Sequence, residues 1–365
     1  MRYAEFRTVL SEAKVGREYQ HLEDLVFIEG SAGAMKAAEI LKSMGRNEKD
    51  IAIKWDGNPT IYWGRGEDGQ FVLVGKNGWG KNKSTHPEDL SKFIKNSGKG
   101  VEEEPWREKF GNDMAELFTV LEAATPPDYR GFVFGDLLYY QGKPFTVKDG
   151  DIEFTPNKVT YTVDSDSDLG KRIAGSKAGI VVHQKYPEFG SNAGSPVDDA
   201  DELNSQDVVV LAQTYVTHQP KVDTSAVNKI ESMAKQNAGA IDSFIEKKPG
   251  LSDVSAIIYQ YMNQMSRAQK LSELEQGFFD WLNTSKVSAN KQQKIAAMAE
   301  ENPKALPAIF GLVTEIMKVK DDIIDQLDSA DADVKASTAG EQGGEGYVSL
   351  GSKTKFVPRS RWQPN

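Results

Sequence analysis

The spacing of apolar residues along this chain changes three times. Tyr3, Phe6, Val9 and Leu10, and then Ala34, Met35, Ala38, Leu41 and Met44, recur at three and four residues, which predicts two helices. From Ile51 the chain turns to short alternating runs punctuated by glycine. Ile51–Lys54, Thr60–Trp63 and Gln70–Val74 predict antiparallel strands, and Gly131–Tyr140, Lys158–Val163, Gly179–Val182 and Val208–Leu211 extend the sheet. A helical segment over Asp113–Leu121 interrupts them, and the polar stretch Phe189–Asp207 reads as a loop.

Beyond Leu211 the period is helical again. Val227, Ile230, Met233 and Ala234 share a face, as do Leu251, Val254, Ile257, Ile258, Tyr261, Met262 and Met265. Ile309, Phe310, Val313, Ile316 and Met317 form a third stripe that continues to Ile323, Ile324 and Leu327, so a helical bundle is expected, with these stripes as its core. Asp328–Gly344 is acidic, rich in Ala, Ser and Gly, and poor in large apolar residues, which predicts a flexible linker. Glu345–Val348 and Lys353–Val357 return to a strand-like texture. The expected division is a sheet-containing domain over 1–211, a helical bundle over 212–330, a linker over 331–344, and a return to the first domain over 345–365.

Composition narrows the function classes. A chain of 365 residues can bury one large core or two ordinary ones. Its formal net charge of −10 argues against non-specific coating of nucleic acid, while leaving room for a local basic groove. With no cysteine, neither a disulfide framework nor a thiolate metal site can form, and a reducing cytoplasm is the expected location. No apolar run of signal-peptide or membrane-spanning length is present, so no membrane partner is expected.

The candidate chemistry lies at Lys54-Trp55-Asp56-Gly57. A lysine amine attacks phosphorus only when unprotonated, and burial beside Ile51 and Ile53 would depress its pKa. Asp56 can orient the lysine or a ribose, and Gly57 lets backbone and phosphate approach closely. The same four residues also make an ordinary strand end with an Asp-Gly turn.

In order along the chain, further short runs resemble those of ATP-dependent DNA and RNA ligases and the related capping guanylyltransferases. The resemblance makes Lys54 the nucleotide acceptor and Lys76-Asn77-Gly78 the basic run after the next strand. Phe132-Val133-Phe134-Gly135-Asp136-Leu137 is similar to the strand end that carries a carboxylate, with Asp136, in place of the usual Glu, as a ribose or metal contact. It also implies an aromatic ring on the purine, here Phe154 or Tyr161. Glu345-Gly346 resembles the metal-holding carboxylate run, and Lys353 and Lys355 the paired lysines that neutralise the phosphates from one face of a strand. Gly179–His183 has the texture of the carboxylate strand, but Ala178 stands where the acid should be, so it is expected as core with His183 at the site mouth. Arg359, Arg361 and Trp362 could meet the triphosphate or a strand end.

The fold implied by this resemblance is α+β: an antiparallel-sheet nucleotidyltransferase, or adenylation, domain interrupted by a helical insertion and without a C-terminal OB barrel. Glu345, Lys353 and Lys355 are then expected to fold back beside Lys54. The implied activity is polynucleotide ligation through a lysyl-AMP on Lys54, using ATP and Mg²⁺ and joining 5′-phosphate to 3′-hydroxyl ends, RNA ahead of DNA. Alternatives are DNA nick sealing, RNA capping or protein modification, and a non-catalytic interaction protein that uses the helical insertion to bind a protein partner. Two departures stand out: Asn58-Pro59-Thr60 replaces the arginine that often follows the lysine motif, and the chain ends at Asn365. The run His21-Leu22-Glu23-Asp24-Leu25-Val26-Phe27, with Glu29-Gly30 after it, also resembles a group of tailed-phage proteins.

Overall fold

Where apolar residues alternate the chain forms strands, and where they recur at three and four it forms helices. The computed structural model describes residues 20–45, 51–96, 105–212, 214–216, 218–330 and 334–361. The helix expected from Tyr3, Phe6, Val9 and Leu10 lies outside the described residues, as does Trp362. In chain order the strands are β1 Gln20–His21, β2 Ile51–Ile53, β3 Thr60–Arg65, β4 Phe71–Gly75, β5 Gly131–Tyr139, β6 Thr146–Lys148, β7 Asp151–Phe154, β8 Val159–Asp164, β9 Ala178–Tyr186, β10 Ser195–Pro196, β11 Val208–Leu211, β12 Val334–Thr338, β13 Glu341–Gln342, β14 Tyr347–Ser349 and β15 Thr354–Phe356. The helices are α1 Leu25–Ser43, α2 Pro87–Asn96, α3 Pro105–Ala124, α4 Asp168–Ala174, α5 Thr224–Ile245, α6 Val254–Arg267, α7 Phe278–Thr284, α8 Ala289–Glu301 and α9 Ala305–Asp328. The fold is mixed α+β with sheets rich in antiparallel pairs. No helix among the described residues is long and apolar enough to cross a membrane.

The chain divides into two units, each built from separated segments: Met1–Ala52, Tyr215–Ala330 and Gly346–Asn365 in the first, and Ile53–Thr214 with Asp331–Glu345 in the second. In the second unit a six-stranded sheet runs β10-β9-β5-β3-β4, with β11 parallel to β9. Strand periodicity of two sends its side chains to opposite faces. Ile61, Trp63, Leu73, Val133, Leu137, Ile180 and Val182 enter one core with Leu90 of α2 and Met114, Leu117, Phe118 and Leu121 of α3. The intervening residues Leu138, Val181 and Val209 enter a second core with Trp55, Ile152, Phe154, Tyr161 and Val163, the last four from the five-stranded sheet β13-β12-β8-β7-β6 where they lie on β7 and β8.

The first unit packs α1 against α5 and α9. Phe27, Ala34, Ala38 and Leu41 of α1 are buried, as are Val227, Ile230, Ala234 and Phe244 of α5 and Ile309, Val313, Ile316 and Ile323 of α9. Gly30 interrupts α1 with φ +71°, and a Cβ there would meet Asp242 Oδ1 at 2.3 Å. Asp242, from α5, instead accepts hydrogen bonds from the Ser31 N–H and hydroxyl, both at 2.8 Å, and so caps the resumed helix from outside. A four-stranded sheet, β1-β15-β14-β2, completes this unit.

Two expectations need correction. The stretch read as a flexible linker contains β12, which pairs antiparallel with β8 over Val334–Thr338, and β13, which pairs back onto β12. Its own residues are small, but Val334 and Ala336 pack on a core whose bulk β8 supplies through Tyr161 and Val163. The division also differs from the expected one, because residues before Ile53 and after Glu345 group with the helices and not with the large sheet.

Candidate functional site

Chain alternation after β2 sets up the site. Trp55 turns inward, 5% exposed, with its ring 4.7 Å from Tyr161, and its indole N–H donates to Thr214 Oγ1 at 3.1 Å. Lys54 and Asp56, on either side, are only partly buried. The Asp56 N–H donates to the Tyr161 hydroxyl at 2.6 Å, and Asn157 Nδ2 donates to the Asp56 carboxylate at 3.1 Å. On the other side of the lysine the Ile53 N–H donates to Thr214 O at 2.8 Å, so the loop is pinned on both sides. Gly57 passes directly over β5: a Cβ there would lie 2.5 Å from Asp136 Cβ and 2.9 Å from the Leu137 carbonyl oxygen. The Asn58 N–H donates to Leu137 O at 2.9 Å and the Leu137 N–H donates to Pro59 O at 3.0 Å, locking the loop to that strand.

Lys54 Nζ forms an ion pair with Glu345, both side chains partly exposed at 23% and 33%. The route that brings Glu345 there is β12, laid along β8 with Ala336 opposite Tyr161, followed by the turn through Gly343, whose N–H donates to Ala336 O at 2.8 Å. Two residues far apart in sequence thereby meet within the second unit.

Asp136 faces the same side of the sheet as Leu138, away from the helices. Its Oδ1 accepts from the Thr60 hydroxyl at 2.6 Å and its Oδ2 lies 3.0 Å from His183 Nε2. His183 is thus placed through Asp136, the residue that Gly57 passes over. Next to this pair Phe134 and Tyr62 occupy facing register positions on β5 and β3, with ring centroids 4.8 Å apart. Burial first, then Tyr186 and Asp136, pushes the Tyr62 hydroxyl up to about 12, so it stays neutral and can donate.

The stacking role expected of Tyr161 or Phe154 does not suit their positions. Both are core, at 0% and 3% exposure, and Trp55 covers Tyr161, leaving no ring face for a purine. Burial also drives the Tyr161 hydroxyl well above its usual range, which suits a neutral acceptor for the Asp56 N–H. Lys76 is exposed in the turn after β4. Lys353 and Lys355 belong to the first unit and do not share a strand face: Lys353 sits in the hairpin turn with φ 53°, and Lys355 lies within β15. Closing the tight turn between Ser349 and Thr354 takes Lys353 out of extended backbone.

Oxygen donors for a magnesium ion are present in part. Among the described residues no group of three or more acidic or histidine side chains could hold a metal ion, so Glu345, itself paired with Lys54, would be a single carboxylate on a cation otherwise held by substrate phosphates and water. Asp136 suits it less, since both its oxygens already hold Thr60 and His183.

The His21–Phe27 run and Arg359 prove to be partners of each other. Glu23, 0% exposed, accepts from Lys320 Nζ at 2.8 Å and Arg359 Nε at 2.6 Å, and Arg359 also grips Asp24 and reaches Asn263 Oδ1 at 3.1 Å. Burial pushes the Glu23 carboxyl up, but Lys320 and Arg359 outweigh it and hold it far below the usual range. Arg361 pairs with Asp325 and Asp328. Within the first unit these arginines tie the C-terminal segment down, so the phosphate-binding role expected of them does not suit Arg359, which is buried.

Thr60, Asn157, Tyr62 and Phe134 were given no role of their own by the sequence, since each matters only through a partner distant in the chain. No curated protein matches the chain, and no solved structure does. A family model does match, over residues 18–363, so the chain belongs to the family of unknown function DUF6267.

Proposed function

We propose that this protein is a covalent nucleotidyltransferase of the polynucleotide ligase type, with Lys54 as the acceptor of AMP from ATP. The observation that carries the reading is the ion pair of Lys54 with Glu345, two residues singled out by separate motifs, beside a loop pinned through Trp55, Asp56 and Gly57. In the reaction the Lys54 ammonium gives a proton to water, the neutral amine attacks the α-phosphorus, the N–P bond forms as the P–O bond to pyrophosphate breaks, and the remaining amine proton passes to water. A magnesium ion held at Glu345 would supply charge neutralisation of the phosphates. Asp56 and Gly57 fix the approach, and Asp136 orders the neighbouring surface through Thr60 and His183.

AMP then passes to a 5′-phosphate end and leaves when a 3′-hydroxyl attacks. RNA ends are proposed ahead of DNA ends, on the fold-level analogy alone. Incubation with α-labelled ATP or GTP tests the first step: label from ATP should transfer to the protein and be lost in Lys54→Ala. Label from GTP alone would favour capping. Sealing assays on nicked RNA, nicked DNA and single-stranded RNA then identify the acceptor.

A further inference from the structure

The loop after β4 reads Lys76-Asn77-Gly78-Trp79-Gly80-Lys81-Asn82-Lys83, three cations and no acid in a chain of net charge −10. It is held in one place. The Gly78 N–H donates to Gly75 O at 2.8 Å and the Lys81 N–H to Gly78 O at 3.0 Å, and the loop returns along the β4 edge, where the Leu73 N–H donates to Ser84 O at 3.3 Å. Gly80, at φ +68°, lies against Gly190, so close that a Cβ at 80 would come 3.1 Å from the Gly190 Cα. Trp79 stacks on Tyr62, centroids 4.3 Å apart and planes 13° off parallel, and its indole N–H donates to Ser191 O at 3.3 Å.

Tyr62 continues the row to Phe134 at 4.8 Å, and Phe134 to His183 at 5.6 Å. These four rings are each only partly buried and lie on the sheet face away from α2 and α3, where Tyr62 and Trp79 also pack against Tyr186, and Trp79 against Phe132 and Phe189, so it is their exposed parts that face outward. Lys76 and Lys81 are exposed and make no ion pair among the described residues, and Lys83 lies a loose 3.8 Å from Asp68.

We infer that the loop 76–83 and the aromatic row Trp79-Tyr62-Phe134 form a docking track for an unpaired polynucleotide strand. The lysines along the sheet edge match a line of phosphates, and the rings match bases turned out from it. A duplex hides its base faces and would forfeit the stacking. An acidic peptide would use the lysines but leave the exposed parts of the rings uncovered. The track rests on the ligase-type reading only for what the bound strand is used for.

Fluorescence anisotropy without nucleotide or metal tests it, using labelled single-stranded RNA and DNA of about 20 nucleotides and the matching duplexes, from about 50 to 200 mM KCl. Either single strand should bind at least about tenfold more tightly than its duplex. Lys81→Ala/Lys83→Ala should weaken binding about tenfold and reduce the log–log salt slope by about 1.4, two contacts at about 0.7 each. Phe134→Leu, checked for native circular dichroism, should weaken it about tenfold and leave the slope unchanged. No binding at the lowest salt, duplex bound as well as single strand, or a lysine variant that binds like wild type would overturn the track. Strand binding without AMP transfer would refute the enzymatic reading alone, and AMP transfer without strand binding would refute the track alone.

Discussion

Gly57 shows what a single residue decides. Its missing side chain is the space into which Asp136 and the Leu137 carbonyl fit, so Gly57→Ala should displace the lysine loop, cost about 1–3 kcal/mol and reduce AMP transfer. Chemical denaturation and label transfer measure the two effects separately. Arg359 decides as much in the first unit. Arg359→Ala leaves buried Asp24 without its cation and Glu23 with Lys320 alone, and should cost about 3–5 kcal/mol in urea unfolding, with part of the loss recovered by adding Asp24→Asn.

Asp321 carries a pH dependence of known sign. Burial, opposed by Lys320 and assisted by Glu23 and Asp325, pushes its carboxyl up to about 6, and its Oδ1 has no hydrogen-bond partner among the described residues. Because the folded value lies above an unfolded value of about 3.9, the folded state holds the proton more tightly; its contribution is full below about pH 4 and lost as pH rises through about 6. Asp321→Asn should therefore raise the melting temperature at pH 8, by a stability gain on the order of 2–3 kcal/mol, and bring no gain near pH 4. Equal effects at both pH values would show that packing, not charge, governs the site.

At the scale of elements, β12 has the largest consequence, since it delivers Glu345 to Lys54. Ala336→Pro would remove its pairing opposite Tyr161, and AMP transfer should fall to the level of Glu345→Gln while Lys54 remains in place. β12 was also the element least legible in the sequence. Its residues lack the bulk that marks a strand, and the apolar surface it covers belongs to β8. By contrast β3, β5, β9 and β11 carry their own alternation, and both faces of β9 are filled, so their existence could be read locally. The lysine loop was legible because its chemistry is contiguous. The grip of Arg359 on Glu23 and Asp24 was not, because nothing local marks charges separated by most of the chain.

At the scale of the whole molecule, two units built from interleaved segments divide the motifs between them. Lys54, Asp56, Gly57, Lys76, Asp136 and Glu345 fall in one unit, and Lys353, Lys355 and the buried ion network in the other. The helical unit contains the chain's N-terminal and C-terminal segments as well as the residues 215–330, so it is a body with its own sheet and its own core. The central claim concerns the first of those groups. Intact-mass measurement after incubation with ATP and Mg²⁺ tests it most directly: the account predicts a gain of one AMP, absent in Lys54→Ala and strongly reduced in Glu345→Gln. No gain with any nucleoside triphosphate or divalent metal, or a gain that persists in Lys54→Ala, would contradict it.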